Sequence, residues 1–196
     1  MLSGIIARNI AKAVAAAGLT VCCKHFAGND QEQYRRGRHT RRSEAEGNNL
    51  DAVNSIISER SLREITLKPF EMAIRTGSVH CIMSAFNKIN GWYCSACPDL
   101  LTGILREEWG FDGFVVTDWG DYDEIADGAD EMAAGNDVIM SGIHSRYSIP
   151  DQIFAGLEDG RLTRLKLLEN ASHMMNTVIH NTANIFVNRR WNQILI

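Results

Sequence analysis

A chain of 196 residues with 45% hydrophobic and 22% charged side chains has the composition of a globular domain with one sizeable core. Its formal net charge of −4 argues against general affinity for nucleic acid or for an anionic membrane surface. No apolar run approaches the ~20 residues of a membrane-spanning helix, so neither nucleic acid nor membrane is an expected partner.

The first eighteen residues, MLSGIIARNIAKAVAAAG, read as an amphipathic helix with Ile6, Ile10, Val14 and Ala17 on one stripe. Ser3 is placed to cap it and Gly18 to stop it. Arg8 and Lys12 interrupt the apolar run, which argues against an export signal. LTVCCKHF, residues 19–26, has the pattern of a short buried strand, and an aperiodic polar tract follows to about residue 50. A second helix is expected from Ser58 or Ser61 to Thr76. Ser61 and Glu64 have capping-box spacing, Leu62, Ile65, Phe70 and Ala73 share one side, and Gly77 closes it. Pro69 should kink or split that helix.

Residues 79–86, VHCIMSAF, are the next strand. Pro98 and Asp99 open a helix that turns Leu101, Ile104 and Leu105 inward, with Gly110 past its end. FVVTDW, residues 114–119, is a third strand, and residues 121–135 form a helix weakened by Gly128. A fourth strand is expected around Asp137 to Ser141. Two helices follow, near residues 150–158 and 163–179, the second with Leu168, Ala171, Met175 and Val178 on one stripe. Residues 181–196 show no clear period.

Strands alternating with helices imply βα units and a parallel sheet, and such sheets bind ligands beyond the carboxyl ends of their strands. Lys24-His25, Phe86-Asn87, Asp118-Trp119 and Met140-Ser141 all fall at such ends, so they should converge on one rim. Asp118 is either a cap for the next helix, a task Asp121 and Asp123 could also perform, or a rigidly held carboxylate nucleophile or base. Trp119 is a packing residue or a plate for stacking a sugar ring. Lys24 and His25 are a surface lysine and a structural histidine, or a pair of donors to hydroxyls or a carboxylate. Arg35 could reach back over the same mouth. The five arginines of RRGRHTRR, residues 35–42, read mostly as a solvated loop.

Five cysteines, an odd number with Cys22 and Cys23 adjacent, make a poor disulfide framework and fit a reducing, cytoplasmic compartment. Cys94 and Cys97 form a C-x-x-C without the second ligand pair that zinc needs. Phosphate-loop, dinucleotide, nucleophile-elbow and H-E-x-x-H motifs are absent, and the acidic run from Asp118 lacks the glycine of a calcium loop. No metal or cofactor is expected.

Four blocks of the sequence resemble the glycoside hydrolase family 3 β-glucosidases. They are KHFAGNDQEQYR from Lys24, SERSLREITLKPFEMAI from Ser58, IMSAFNKINGWYCS from Ile82 and LLTGILREEWGFDGFVVTDWG from Leu100. The weaker AAGNDVIMSG and GRLTRLKLLENA follow in the same order, so the resemblance runs from residue 2 to about 179. It implies an α/β fold: the C-terminal half of a (β/α)8 TIM-type barrel, about four parallel βα units, over residues 1–180, with 181–196 as a tail or linker. It also implies hydrolysis of a β-linked glucoside or oligosaccharide with retention. In that scheme Asp118 is the nucleophile, Trp119 the neighbouring wall, and Lys24, His25 and Arg35 contact sugar hydroxyls. Phe86 stands at the substrate site where the family usually has a tyrosine.

About fifteen residues, near 36–50, look inserted and should form a loop beside the pocket mouth. The family's other first-subsite residues are expected upstream, and its acid/base glutamate in a downstream α/β domain. The other subgroup's histidine belongs to a K-H-F-P-G-H-G pattern, which KHFAGND does not match, and His39 is a poor substitute. The chain therefore shows no general acid. The alternative expectation is an inactive barrel fragment that binds sugar or assembles with a missing half, self-associating through open barrel edges.

Overall fold

Short apolar strands flanked by helices build the molecule. The structure, a computed structural model, describes residues 1–35, 52–119, 126–140 and 148–188, with side chains to residue 179. In chain order the strands are β1 (Val21–Phe26), β2 (Asn54–Ser55), β3 (Val79–Ser84), β4 (Lys88–Ile89), β5 (Trp92–Tyr93) and β6 (Phe114–Val116). The α-helices are α1 (Leu2–Ala16), α2 (Glu59–Ser61), α3 (Lys68–Ile74), α4 (Gly128–Ala134), α5 (Ile149–Asp159) and α6 (Arg164–Asn188). Two wider π-type segments, Leu62–Thr66 and Asp99–Glu108, lie between them.

β1, β3 and β6 pair in parallel in the order β1-β3-β6, and Val138 extends the ladder through a parallel bridge to Val116. This is the expected α/β arrangement, an arc of a parallel barrel whose carboxyl ends share one rim. Beyond β3, the sheet β2-β4-β5 is closed by a two-residue turn at Asn90 and Gly91, both at positive φ, 50° and 93°. Asn-Gly is the sequence favoured for that hairpin turn.

The main core lies between the strands and the helices and includes Phe26, Leu67, Ile82, Leu101, Leu105 and Val115. Phe26 meets Phe70 and Trp109 edge-on, with ring centroids at 5.1 and 5.9 Å. Cys81, Met83 and Val116 form a smaller cluster of their own. Cys81 and Met83, two apart on β3, thus share one face while Ile82 takes the other. Gly113 lets β6 approach β3, since a Cβ there would collide with the backbone of His80.

Several local expectations are corrected. Helix α1 starts at Leu2 with Met1 as N-cap, so Ser3 lies within it. Its buried face is Gly4 and Ala11, whereas Ile6 and Ile10 are 51% and 55% exposed. Close packing decides this: a Cβ at Gly4 would lie 2.8 Å from Met72 Sδ and 2.9 Å from Pro69 Cα of α3. Ser58, not Ser61, caps the second helical stretch, its hydroxyl accepting from Ser61 N at 3.3 Å. Pro69 splits that stretch as expected and sits in the first turn of α3. The π winding of Asp99–Glu108 buries Leu100 along with Leu101 and Leu105.

Gly128 opens α4 rather than weakening its middle, with Asp127 Oδ1 accepting from Ala129 N at 2.9 Å. The fourth strand is reduced to the bridge at Val138. The Asp137 side chain takes a backbone donor of β6 instead, Val115 N, at 2.7 Å. Asp137 also accepts from Arg106 Nη2 at 2.6 Å and meets His173 Nδ1 at 2.9 Å, with its side chain fully buried. Burial lowers the Arg106 pKa, and Asp137 counters that shift.

Helix α6 faces inward with Asn170, His173 and Thr177, not with the apolar stripe. Leu168, Met175 and Val178 are 60%, 58% and 51% exposed. Asn170 Nδ2 donates to the carbonyls of Met132 and Asn136 at 3.0 and 2.9 Å. The inserted arginine tract at 36–50, Asp121, Asp123, Ser141 and the last eight residues lie outside the described residues.

Candidate active site

Thr117 fixes the end of β6. Its backbone N donates to Val138 O at 3.0 Å, and its buried hydroxyl accepts from Met140 N at 2.8 Å. The next side chain, Asp118, is thereby held on the rim, and it is 11% exposed. Trp119 N donates to Asp118 Oδ1 at 2.8 Å, while Oδ2 meets His25 Nε2 at 3.2 Å and Arg35 Nη1 at 3.4 Å. Both side-chain contacts are longer than the ~2.7–2.9 Å of a tight charge-assisted bond. A carboxylate has about four acceptor sites, and among the described residues three donors meet this one.

β1 supplies His25 directly, and the segment after it returns Arg35 to the same carboxylate. Glu32, three residues before Arg35, holds the Arg35 Nε at 3.0 Å. The Arg35 guanidinium lies 5.2 Å from the Phe86 ring centroid, just beyond β3. The buried ring gives the cation an aromatic face to rest on. Glu32 and Thr117 were not singled out in the sequence. The i, i+3 spacing of Glu32 and Arg35 was a readable signal; the Thr117 hydroxyl contact joins two segments 23 residues apart and was not.

Burial lowers the His25 pKa below its ordinary value. Asp118 raises it, and Lys24 and Arg35 add to the lowering. The ring is therefore neutral near pH 7, and its contact with a carboxylate is favourable only with the proton on Nε2. Lys24, exposed on β1, joins this group through its charge. Trp119 is 48% exposed and leaves its indole available beside the carboxylate. The structure thus brings Asp118, His25, Arg35 and Phe86 together, with Lys24 and Trp119 at the margin.

A cleft of about 700 Å³ runs along β1, with Ser3, Lys24, His25, Asn29, Ile65 and Phe70 among its walls. It meets the site at His25; Asp118, Arg35 and Phe86 are not part of its lining. The carboxylate, not this cleft, marks the chemistry. Among the described residues no group of three or more His, Cys, Asp or Glu could hold a metal ion, and no helix is long and apolar enough to cross a membrane.

Comparison with known proteins follows the same lines. Residues 2–177 match the glycosyl hydrolase family 3 N-terminal domain. The probable beta-glucosidase I of Aspergillus flavus is 40% identical over 143 residues, covering 72% of this chain and 15% of that protein. The beta-glucosidase of Ruminococcus albus is 34% identical over 189 residues, covering 93% of this chain and 18% of its own length. Beta-glucosidase 3B from Thermotoga neapolitana, solved in complex with glucose, superposes with a TM-score of 0.75 at 36% identity. That match covers 90% of this chain and 23% of the Thermotoga chain. The chain therefore spans about a fifth of the length of these relatives.

Proposed function

Since the chain belongs to glycosyl hydrolase family 3, we propose that it carries the nucleophile half of a retaining β-glucosidase site, with Asp118 as the nucleophile. One observation carries this reading: a carboxylate fixed at a strand end, contacted by His25 and Arg35 at 3.2 and 3.4 Å and still 11% exposed. Asp118 attacks the anomeric carbon, the glycosidic oxygen leaves with the aglycone, and a glycosyl-enzyme ester forms. Water then hydrolyses the ester. As the carboxylate charge passes into the ester, His25 and Arg35 are free to turn to the sugar. Lys24 and Arg35 bind hydroxyls, and Trp119 walls the site beside the ring. The substrate class is a β-linked glucoside or oligosaccharide, in keeping with the glucose bound to the Thermotoga relative.

Protonation of the leaving group falls to an acid outside this arrangement. Glu32 is poorly placed for this task because its side chain is 80% exposed and turned to Arg35 Nε at 3.0 Å. The test is hydrolysis of an activated aryl β-glucoside, whose leaving group departs with little acid assistance. Turnover by the chain that vanishes in Asp118→Asn is the expected result. Turnover that persists in the variant rejects Asp118 as nucleophile.

A second reading is favoured by both ends of the sheet: the chain acts as half of an assembled barrel. Ile6 and Ile10 of α1 lie exposed at the β1 end, and Leu168, Met175 and Val178 of α6 beyond the other. Four parallel units joined head-to-tail with a second copy would give the eight of a closed barrel. Sedimentation across a concentration series decides this, a monomer at every concentration rejecting it. For either form a reducing, cytoplasmic setting is our proposal, drawn from an odd number of cysteines, two of them adjacent.

A further inference from the structure

We propose that Cys22 and Cys81 are a redox-active dithiol that closes into a cross-strand disulfide on meeting a low-molecular-weight disulfide. The two residues are direct partners in the parallel register of β1 and β3. Adjacent strands lie ~4.8 Å apart, within the span of about 4.4–6.8 Å between α-carbons that a disulfide bridges. The two side chains meet, Cys81 Sγ donating to Cys22 Sγ at 2.8 Å. Oxidation needs only a small closing movement, without displacement of either strand.

The pair is also divided by accessibility. Cys22 is exposed and lines the cleft along β1, whereas Cys81 is 6% exposed. The hydrogen bond from Cys81 lowers the Cys22 pKa, and Lys24 adds to that shift. The same contact raises that of Cys81. Burial pushes Cys23 up to about 11 and Cys94 to about 12, and it also raises Cys97. Cys23 packs with the helix-side core, away from Cys81. Of the five thiols, Cys22 is the one favoured as an attacking thiolate and reachable from solvent.

The Cys22 thiolate, its proton lost to solvent, attacks one sulfur of a disulfide RSSR. The S–S bond breaks and a thiolate RS⁻ departs, leaving a mixed disulfide. Cys81 transfers its proton to that RS⁻ and attacks the Cys22 sulfur, expelling the second RS⁻, which takes a proton from solvent. Two protein thiols are oxidised and one small disulfide is reduced to two thiols. β1, which carries Lys24 and His25, is then covalently stapled to β3.

The experiment is incubation of the purified protein with oxidised glutathione, followed by alkylation, intact mass and tryptic mapping. Two of five thiols should become unreactive, and the tryptic peptide 13–24 should be joined to peptide 76–88. Peptide 13–24 holds both Cys22 and Cys23, so variants assign the bond. The cross-link should vanish in Cys22→Ser and persist in Cys23→Ser. Cys81→Ser should retain one glutathione on peptide 13–24, because the resolving thiol is gone. Five alkylated thiols after incubation, a cross-link that survives Cys22→Ser, a bond mapping to Cys94 and Cys97, or Cys81→Ser free of glutathione would each overturn the proposal.

Discussion

Asp118 and Asp137 stand at the ends of neighbouring strand segments, and each meets an arginine, a histidine and a backbone N–H. Around Asp137 these contacts are 2.6, 2.9 and 2.7 Å and the side chain is fully buried. Around Asp118 the side-chain contacts lengthen to 3.4 and 3.2 Å, and the carboxylate keeps some exposure. One donor set thus serves two purposes. Short contacts on every side make Asp137 a fastener joining β6, the helix Asp99–Glu108 and α6. Longer contacts and partial exposure leave Asp118 less closed in, in keeping with the reactive role proposed for it. Residue identity does not distinguish them; the closure of the surrounding shell does.

Exchanging each carboxylate for its amide tests the distinction most directly. Asp118→Asn should lower turnover of an activated aryl β-glucoside by on the order of 10⁴-fold or more. Its stability to urea should change by less than ~1 kcal/mol, because Trp119 N keeps its acceptor. Asp137→Asn should do the reverse. It leaves the buried Arg106 without its counter-charge and should cost about 3–5 kcal/mol, seen as a lower urea midpoint. Matching stability losses in the two variants would break the comparison.

A smaller effect is expected from Phe86→Tyr, which offers a hydroxyl at the position where the family usually has one. A new hydrogen bond to the Asp118 group, worth ~0.5–1.5 kcal/mol, should raise kcat/KM by roughly 2- to 12-fold. An unchanged or lower value would mean that a hydroxyl at this position makes no useful bond to Asp118.

The smallest effect concerns pH. Burial depresses the His25 pKa in the folded state, so the stability associated with the neutral ring is complete above its unfolded value of ~6.5. It is lost as pH falls through the lower folded value. Asp118 and Glu32 oppose that depression, while Lys24 and Arg35 reinforce it. The urea midpoint should therefore drop more between about pH 7.5 and about pH 5.5 in the wild type than in His25→Gln. Equal drops would remove His25 from the account.

Much of this architecture was legible along the chain. Alternating apolar segments defined β1, β3 and β6, and placing Lys24, His25, Phe86 and Asp118 at strand ends sufficed to group them on one rim. Asn90-Gly91 also carries a readable hairpin signal. The faces of the terminal helices were not legible. A periodic apolar stripe is expected to point inward, yet α1 buries Gly4 and Ala11 because only small residues allow α3 to approach. α6 turns Asn170 inward because the carbonyls of Met132 and Asn136 need a donor.

Local pattern, then, determined which segments are strands and helices and which residues stand at their ends, because side-chain period and backbone preference act over a few residues. Tertiary structure alone decided which helix face is buried, why the fourth strand shrinks to a bridge, and which aspartate is closed in. Those outcomes depend on donors, acceptors and free volume contributed by segments 20 or more residues away, such as Arg106 beside Asp137 and Arg35 beside Asp118.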